Sequence, residues 1–424
     1  MSATLRRPPG PNAATSGQQL LRHINLVRLL RLLRDTPGLS RAQLAERSGL
    51  TRSTVSLLAQ HLIDEGWLAE DAAEATGALG RRPTPLRLDG RRLALVGAEL
   101  GPDVLRVVTV SVRGELLHAA SQPLRGRDAL AACRQLGALV VGVARQARQQ
   151  GREVLGVGIG LPGSVSPVQG VLRVAPNLGW RDVPVAATLQ AALAAAGRPG
   201  LPVLAQNEAD LAAIGEMEFG PRPIGSPLVY VSSGVGLGSG IVVDDSLFTG
   251  ASGAAGEIGH TTLRPGGHRC SCGRQGCAEA YVGLRALAGR VLGTPGAAAV
   301  DHERLRERLA RRDAAAVAAF AEAGHDLGVL LHNVWVMVDP QLIVLGGETV
   351  ALGGADFVEP ARQVLADAAA RTGWPAPLLR VTRFGERAVA MGGAALVLRR
   401  LLQVQAPPGG APAKMFSELI GSRF

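Results

Sequence analysis

The sequence predicts an N-terminal winged helix-turn-helix domain, of α+β type, followed by a larger α/β domain in two lobes. Three observations predict this fold: short amphipathic helices separated by glycine turns, a concentration of arginine in the same region, and strand–glycine-turn patterns that occur twice after Leu93. The sequence predicts a disordered arm over residues 1–19 and a DNA-binding domain over residues 20–92. A two-lobed domain over residues 93–404 and a tail over residues 405–424 follow.

Charge is unevenly spread along the 424 residues. The formal net charge is +10, and residues 1–92 carry 14 arginines and no lysine against 8 acidic residues. A basic first quarter is typical of a nucleic-acid-binding module, because cationic side chains neutralise phosphates. The alternative is a solvated surface in a chain that uses arginine almost everywhere, since Lys414 is its only lysine.

The composition also argues against some classes of protein. Four cysteines in 424 residues cannot form a disulfide framework, so clustered thiols indicate a metal site in a reducing compartment. The polar start resembles no signal peptide, and no run of about 18 apolar residues predicts a membrane span. We therefore expect a cytoplasmic protein with no membrane partner, associated with the nucleoid when bound to DNA.

Three predicted helices make the helix-turn-helix. Residues 20–34 place apolar side chains at helical spacing. Ser40 begins a second helix, "SRAQLAERS", in which Gln43 completes a capping box. Gly49 then turns the chain before Thr51, which caps a third helix, "TRSTVSLLAQHLIDEG".

The third helix and the segment after it predict a DNA-binding surface. Small polar side chains lie opposite the apolar face of this helix, and "WLAEDA" and "PLRLDG" predict two wing strands joined by the loop "TGALGRRPT". The alternative is an ordinary three-helix bundle, which explains neither feature. The predicted DNA contacts are Thr51, Arg52, Ser53, Thr54, Ser56, Arg81 and Arg82.

From Leu93 the pattern changes to short strands and glycine-rich turns. "LALVGAEL", "VLRVVTVSVRG" and "ELLHAAS" predict a three-stranded meander, followed by a helix over about residues 127–150 and the buried strand "VLGVGIGLPG". A comparable order recurs in "PLVYVSSGVGLGSGIVVDD" and "QLIVLGG". The repetition predicts two related lobes with a cleft between them.

Three cysteines within eight positions predict a structural metal site. Cys270, Cys272 and Cys277 supply three thiolates, and a structural zinc takes four ligands from sulfur and nitrogen donors. Spacing leaves two histidines open as the fourth ligand. His268 would constrain only its own loop, whereas His260 would join two segments. Three free thiols are the alternative without a metal.

Several motifs together resemble the ROK family (repressors, open reading frames, kinases). They are "GAAGEIGH" followed by "CSCGRQGCAE", the glycine-rich "SSGVGLGSGIVVDDSLFTG", "GIGLPGSVSPVQGVLRVAPNLGW" and "NEADLAAIGE". "SRAQLAERSGLTRSTVS" and "GRRP" are similar to the family's transcriptional regulators. The resemblance covers roughly residues 20–395. It implies an actin-like, sugar-kinase-like α/β fold in two lobes, and one zinc per chain held by His260, Cys270, Cys272 and Cys277.

The resemblance also implies a sugar site between the lobes. In the family, sugar hydroxyl groups are bound by an Asn-acid pair, by the Glu and His of Glu-x-Gly-His, and by a later Glu. The matching residues in this chain are Asn207, Glu208, Glu257, His260 and Glu279. Carboxylates suit this task because they accept directional hydrogen bonds from hydroxyl groups. Glu279 follows Cys277 by two residues, so the cysteine loop is expected to brace the sugar pocket.

Two departures from the family's kinases argue against phosphoryl transfer. Glu208 stands where the kinases have an aspartate general base. The early phosphate loop reads "ELGPD", in which Pro102 lacks an N–H donor and Asp103 places negative charge near phosphate. We therefore expect no enzyme activity. The alternative is an ATP-dependent sugar kinase that also binds DNA. A third class, a purely structural zinc protein, would leave the winged helix unexplained.

The predicted function is a sugar-responsive transcriptional regulator, specifically a repressor of carbohydrate-metabolism genes. A single winged module buries little surface on DNA, so the expected form is a homodimer or higher homo-oligomer. The predicted partners are a palindromic operator rich in A·T pairs, read by arginines in its narrow minor groove, and a monosaccharide effector.

Overall fold

The computed structural model describes residues 11–403, except for 72–83, 177, 222–224 and 295–299. Its elements follow the predicted order: a helix-turn-helix with two wing strands, then two lobes that each contain a five-stranded sheet. The predicted tail at 405–424 lies outside the described residues, as does the start of the predicted arm.

The helix-turn-helix contains the three predicted helices, α1 (Pro11–Asp35), α2 (Arg41–Ser48) and α3 (Arg52–Asp64). Helix α1 begins nine residues before its predicted start at Leu20, so the prediction of a disordered arm was wrong for residues 11–19. Proline is favoured in a first helical turn, and the alanines and glutamines that follow are good helix formers. The Pro/Gly-rich composition of the first residues had indicated disorder and not a helix.

Local signals set the ends of α2 and α3 as predicted. The Ser40 hydroxyl accepts a hydrogen bond from the Gln43 N–H, and the Gln43 side chain accepts one from the Ser40 N–H at 2.9 Å. Gly49 ends α2 with φ of 68°, a left-handed conformation that glycine adopts without steric cost. Thr51 caps α3 through its hydroxyl. The turn between the two helices is therefore encoded by these few side chains.

The wing begins and ends in short strands. Strands β1 (Leu68–Glu70) and β2 (Leu86–Leu88) pair antiparallel, with Leu68 opposite Leu88. The connecting loop, including Arg81 and Arg82, lies outside the described residues. The base of the predicted wing is thus confirmed.

The first lobe contains a sheet in the order β10-β6-β3-β4-β5 and a smaller sheet β7-β8-β9. Its elements are β3 (Leu93–Leu100), β4 (Val104–Ser111), β5 (Leu116–Pro123), α4 (Ala129–Gln149), β6 (Glu153–Leu161), β7 (Ser164–Ser166), β8 (Val171–Ala175), β9 (Trp180–Val183), α5 (Val185–Ala195), β10 (Val203–Asn207) and α6 (Glu208–Phe219).

The second lobe repeats this plan with the sheet order β13-β12-β11-β14-β15. Its elements are β11 (Leu228–Ser233), β12 (Leu237–Val243), β13 (Ser246–Leu247), α7 (Glu279–Val282), α8 (Leu284–Leu292), α9 (His302–Ala310), α10 (Ala314–Val338), β14 (Leu342–Gly346), α11 (Glu348–Thr372) and β15 (Leu378–Val381). The last helix, α12 (Ala388–Leu401), returns to the first lobe and packs on β3 and β6.

The two large sheets share one topology. In each, three antiparallel strands form a meander, and two further strands add in parallel beside the first strand of that meander. Parallel pairing requires crossover connections, which the helices provide. This repetition confirms the prediction of two related lobes.

Helices α6 and α12 pack against the sheets with almost no side chain between the backbones. A Cβ atom on Gly392 of α12 would lie 1.9 Å from the Leu211 carbonyl oxygen of α6. A Cβ on Gly97 of β3 would lie 1.7 Å from the Ala390 oxygen, and one on Gly240 of β12 would lie 2.4 Å from the Ala209 oxygen. Glycine is therefore required at these contacts, which join the two lobes through α6 and α12.

Helix α10 is the one helix in the described part of the chain with the length and apolar composition of a membrane span, and half of its apolar window is buried. Phe320 and Leu331 pack in the core of the second lobe, and Asp326 within the helix forms an ion pair with Arg264. These contacts are those of a core helix.

The glycine contacts generate the first prediction. Gly392→Ala should lower the free energy of unfolding by about 3 kcal/mol, because the added methyl group meets a backbone oxygen that cannot move independently. The control is Gly142→Ala on the exposed side of α4, where the new Cβ meets nothing within 4 Å. That substitution should stabilise the chain by about 0.5–1 kcal/mol through helix propensity. Urea titrations of both variants measure the difference, and equal stabilities would contradict the packing argument.

Candidate functional site

The N-terminal end of α3 presents the predicted DNA-contacting side chains. Arg52, Ser53 and Ser56 are exposed, whereas Val55 and Leu58 on the opposite face are buried. Thr51 ties this end together, because its hydroxyl lies 3.0 Å from the Ser53 hydroxyl and 2.8 Å from that of Thr54. The predicted division of the helix into a buried and an exposed face is confirmed.

Leu57 adds an apolar side chain to this exposed face. It is 71% exposed and lies beside Ser56, and Gln60 follows one turn later. An exposed leucine among small polar groups is suited to contact the methyl group of thymine. Together these side chains give α3 the mixed surface of a recognition helix.

Four potential metal ligands converge in the second lobe. One atom each from His260, Cys270, Cys272 and Cys277 lie within 4.8 Å of one another. Cys270 Sγ is 3.7 Å from His260 Nδ1, and Cys272 Sγ is 3.7 Å from Cys277 Sγ. The group could therefore hold a metal ion, and it contains the histidine that joins two segments.

His268, the alternative ligand left open by the spacing, makes other contacts. Its backbone N–H donates a hydrogen bond to the Tyr281 hydroxyl at 2.8 Å, and its ring stacks on the Tyr281 ring with centroids 4.9 Å apart. It therefore fixes the loop to α7. Arg274 ties the same loop to the other segment, because its side chain donates to the His260 carbonyl oxygen at 2.6 Å.

The thiols of this cluster differ in acidity. Burial raises the pKa of Cys270, whereas the backbone N–H of Arg274 lowers the pKa of Cys272. A thiolate is the form that binds a metal, so binding to Cys270 would release a proton.

A tight turn places Glu257 and His260. A Cβ on Gly256, whose φ is +90°, would lie 2.2 Å from the Ser239 oxygen, and a Cβ on Gly259 would lie 2.0 Å from the Leu237 oxygen. The Gly-Glu-x-Gly-His sequence thus packs flat against β12. Glu257 remains exposed while His260 turns toward the cysteines.

Glu279 connects the cysteine loop to the same strand. Its Oε1 accepts a hydrogen bond from the Ser271 hydroxyl at 2.7 Å, and its Oε2 accepts one from the Leu237 N–H at 3.2 Å. Cys270 Sγ lies 3.6 Å from Oε1. The structure therefore brings Glu279 and His260 together around Cys270.

Asn207 and Glu208 lie at the start of α6. The Asn207 side-chain oxygen Oδ1 caps the helix by accepting a hydrogen bond from the Ala209 N–H at 2.8 Å, and the side-chain Nδ2 donates to the Gly163 carbonyl oxygen at 2.9 Å. Glu208 is half-buried, and burial raises the pKa of its carboxyl group. Part of the hydrogen-bonding capacity of Asn207 is thus used to hold the helix.

Two buried acids near these residues were missed by the sequence analysis. Burial, followed by the charge of Glu257, raises the pKa of Asp210 to about 7. Burial raises that of Glu99 to about 7 although Arg106 lies 3.2 Å from its carboxylate. Both could have been found as acids within otherwise buried segments, "LALVGAEL" and "NEADLAAIGE". Asp210 also links α6 electrostatically to the Glu257 turn.

The turn between β3 and β4 contains the "ELGPD" segment that the sequence analysis compared with a phosphate loop. The Gly101 N–H donates to the Val104 oxygen at 2.9 Å, and Pro102 has no N–H to offer. Phosphate loops use backbone N–H groups that point at the ligand. In this turn, neither Gly101 nor Pro102 has a free backbone N–H group to donate to a phosphate.

Sequence comparison assigns both parts of the chain. The model of the ROK family matches residues 96–400, and that of the IclR helix-turn-helix domain matches residues 24–72. A xylose repressor from Caldicellulosiruptor bescii is 30% identical over 396 residues, which cover 90% of this chain and 97% of the relative.

Solved structures show the same architecture. A ROK family transcriptional regulator, described as a homolog of the E. coli MLC protein, has a TM-score of 0.74 at 23% identity, covering 95% of this chain and 99% of that one. A ROK family glucokinase from Streptomyces griseus, in complex with glucose and AMPPNP, has a TM-score of 0.61 at 27% identity, over 72% of this chain and 98% of the other.

The buried carboxyl group of Asp210 generates a pH prediction. Its pKa is about 7 in the folded chain and near 3.8 when unfolded, so stability is lost as the pH rises from about 4 through 7. Asp210→Asn removes this loss, and should stabilise the chain by about 2 kcal/mol more at pH 8 than at pH 5.5.

Urea titrations at the two pH values measure this difference. Asp367→Asn, on an exposed part of α11, is the matched control for the loss of a carboxyl group. An Asp210→Asn effect of the same size at both pH values would contradict the assignment of a raised pKa.

Proposed function

The chain belongs to the ROK family, and we propose that it is a sugar-responsive transcriptional repressor in which the N-terminal domain binds DNA and the ROK domain binds a monosaccharide. The observation that carries the proposal is the exposed polar face of α3, in a helix-turn-helix joined to a ROK domain. A xylose repressor aligned along 90% of the chain supports the same combination of domains. Such a protein acts in the cytoplasm, where its operator lies.

Xylose or a related monosaccharide is the proposed effector. Its hydroxyl groups would bind Glu257 and His260 on the glycine-flanked turn and Glu208 at the start of α6. Glu279 and Asn207 would complete the site, although their hydrogen bonds to Ser271, Leu237, Ala209 and Gly163 make them chiefly supports for its walls. A sugar held in this way contacts both lobes and favours one arrangement of them.

One zinc ion is the proposed occupant of the four-ligand cluster. A tetrahedral zinc with Zn–S bonds of about 2.3 Å separates its sulfur ligands by about 3.8 Å. The 3.7 Å distance between Cys272 Sγ and Cys277 Sγ fits this requirement. When bound, the metal would neutralise the thiolates and fix the loop, while His260 could use its other ring nitrogen for a sugar hydroxyl.

A sugar kinase that also binds DNA is the second candidate, because the solved relative with glucose and AMPPNP shares the fold of the ROK domain. The hydrogen bond from the Gly101 N–H to Val104 and the proline beside it weigh against phosphate binding. So does Glu208 in place of an aspartate base. Sugar-dependent ADP formation by the native chain would favour this candidate over the repressor.

The proposed DNA complex places α3 in a major groove. Arg52 would contact a base or a phosphate beside the hydroxyl groups of Thr51, Ser53, Thr54 and Ser56. Arg81 and Arg82, which lie outside the described residues, would reach the adjacent minor groove where A·T-rich sequence narrows it. Two copies on a palindromic operator would double this contact, as a homodimer or part of a higher oligomer.

The sugar site generates the prediction that tests this function. Glu257→Ala should leave operator binding within about twofold of the native value but remove the xylose response, expected to be roughly 5–150-fold in operator affinity. Glu257 lies in the second lobe and not in the helix-turn-helix, so its loss should not remove a DNA contact. Fluorescence titration of an operator selected from a random duplex library, with and without xylose, gives both numbers.

The control for that titration is Glu359→Ala, an exposed acid on α11 paired with Arg362. It should respond to xylose like the native chain. A Glu257 variant that retains the full response would refute the proposed sugar site, and a native chain unresponsive to any monosaccharide would refute the proposed function.

The metal cluster generates a separate prediction. The native chain should carry one zinc ion per molecule. Cys272→Ser should lose this ion and the xylose response together, because the loop holding Glu279 is released. Elemental analysis of protein purified without chelator measures the metal. Cys133→Ala, which changes the buried cysteine of α4, should retain zinc. Well under one zinc per native chain would overturn the assignment.

A further inference from the structure

A carboxylate is completely buried between the DNA-binding domain and the ROK domain. The side chain of Glu218, at the C-terminal end of α6, has 0% of its surface exposed. Arg34 of α1 lies 2.8 Å from one carboxylate oxygen, and Arg399 of α12 lies 3.3 Å from the other. A single charged group thus joins three helices, one of which belongs to the DNA-binding domain.

Further contacts surround this group. Asp245, at the turn between β12 and β13, lies 3.4 Å from Arg399 and 3.9 Å from Arg34, with 44% of its side chain exposed. Arg31 of α1 donates to the Leu402 carbonyl oxygen at 2.9 Å, just beyond α12. These contacts surround a cavity of about 270 Å³ at the junction. We name Arg34, Glu218, Asp245 and Arg399 the junction cluster.

The junction is also continuous in its apolar packing. Leu30 and Leu33 of α1 belong to the same buried core as Ile214 of α6 and Leu398 of α12. The charged and apolar contacts therefore attach α1 to both α6 and α12. A displacement of α6 must either carry α1 with it or break the ion pairs of a buried carboxylate.

The opposite end of α6 lies at the candidate sugar site. Asn207 caps this helix and Glu208 begins it, while Glu218 is its penultimate residue. At 1.5 Å per residue, the 12-residue helix is about 18 Å long. Every residue from Ala209 to Phe219 is buried, so α6 is supported along its whole length and can act as a rigid element.

We propose that α6 carries the sugar signal to the DNA-binding domain, and that Glu218 is the positioning residue that couples its movement to α1. This inference rests on the proposed function. Sugar contacts at Glu208 shift the start of the helix, and the paired arginines of the junction cluster convert that shift into a movement of α1. Buried, charge-assisted contacts suit this task because they hold one geometry.

Glu218→Gln tests the proposal, since it keeps the shape of the side chain but removes its charge. In the native chain, xylose should change the affinity for a duplex selected from a random library by roughly 5–150-fold. In the variant the change should fall to less than about twofold, while the xylose Kd measured without DNA stays within about twofold of the native value. Loss of coupling with intact sugar binding is not expected from a merely structural role.

Hydrogen exchange locates the effect. In the native chain, xylose should alter amide exchange in α6 and also in residues 26–35 of α1; in Glu218→Gln the change in α6 should remain and that in α1 should disappear. Glu218→Asp, which keeps the charge, should retain part of the coupling. Glu359→Gln, which breaks an exposed ion pair on α11, should behave like the native chain.

The outcomes separate the two hypotheses. A Glu218→Gln chain that retains the full xylose effect on DNA affinity would overturn the role of the junction cluster. A native chain with no sugar response would instead refute the proposed function. If Glu218→Gln fails to fold, Asp245→Asn gives the same readout from the half-exposed member of the cluster; there, undiminished coupling overturns the proposal and a reduced one supports it.

Discussion

The close contact of α6 and α12 with the two sheets is the constraint on which the rest of the structure depends. Gly97, Gly240 and Gly392 bring backbones together where a single methyl group would collide with a carbonyl oxygen. Helices packed this closely cannot slide past their neighbours independently, because protein interiors are dense and transmit displacement. In the proposed mechanism, a shift at the start of α6 would therefore reach its far end, where Glu218 pairs with Arg34 of the DNA-binding domain.

The loop that carries the three cysteines is held in place without an apolar core. The segment from His260 to Glu279 is too short and too polar to bury an apolar core of its own, and it relies on local hydrogen bonds and converging ligands. Four ligands from two segments can hold such a loop where apolar packing cannot. The Glu279 carboxylate accepts hydrogen bonds from Ser271 and from the backbone of β12, and so links this loop to the strand beside the proposed sugar site.

Local patterns in the sequence were sufficient to predict much of the fold. Apolar spacing identified the buried face of α3, and repeated strand patterns predicted two lobes of one topology. Cysteine spacing predicted three ligands, but only the family resemblance favoured His260 over His268. Long-range contacts leave no such pattern: Arg34 and Glu218 are 184 residues apart, so neither charge signals its partner. The early start of α1 was missed because of the Pro/Gly-rich composition around it, and the buried acids Glu99 and Asp210 were missed although both lie within otherwise apolar segments.

In the proposed mechanism, sugar in the cleft and DNA on α3 bind to one coupled molecule. Coupling between two binding sites is reciprocal, so DNA must change the affinity for sugar by the same factor as sugar changes the affinity for DNA. The most direct measurement is calorimetric titration of the native chain with xylose, in the absence and presence of a saturating selected duplex. The xylose Kd values of the two titrations should differ by roughly 5–150-fold. Measurable xylose binding with the same Kd in both titrations would contradict it.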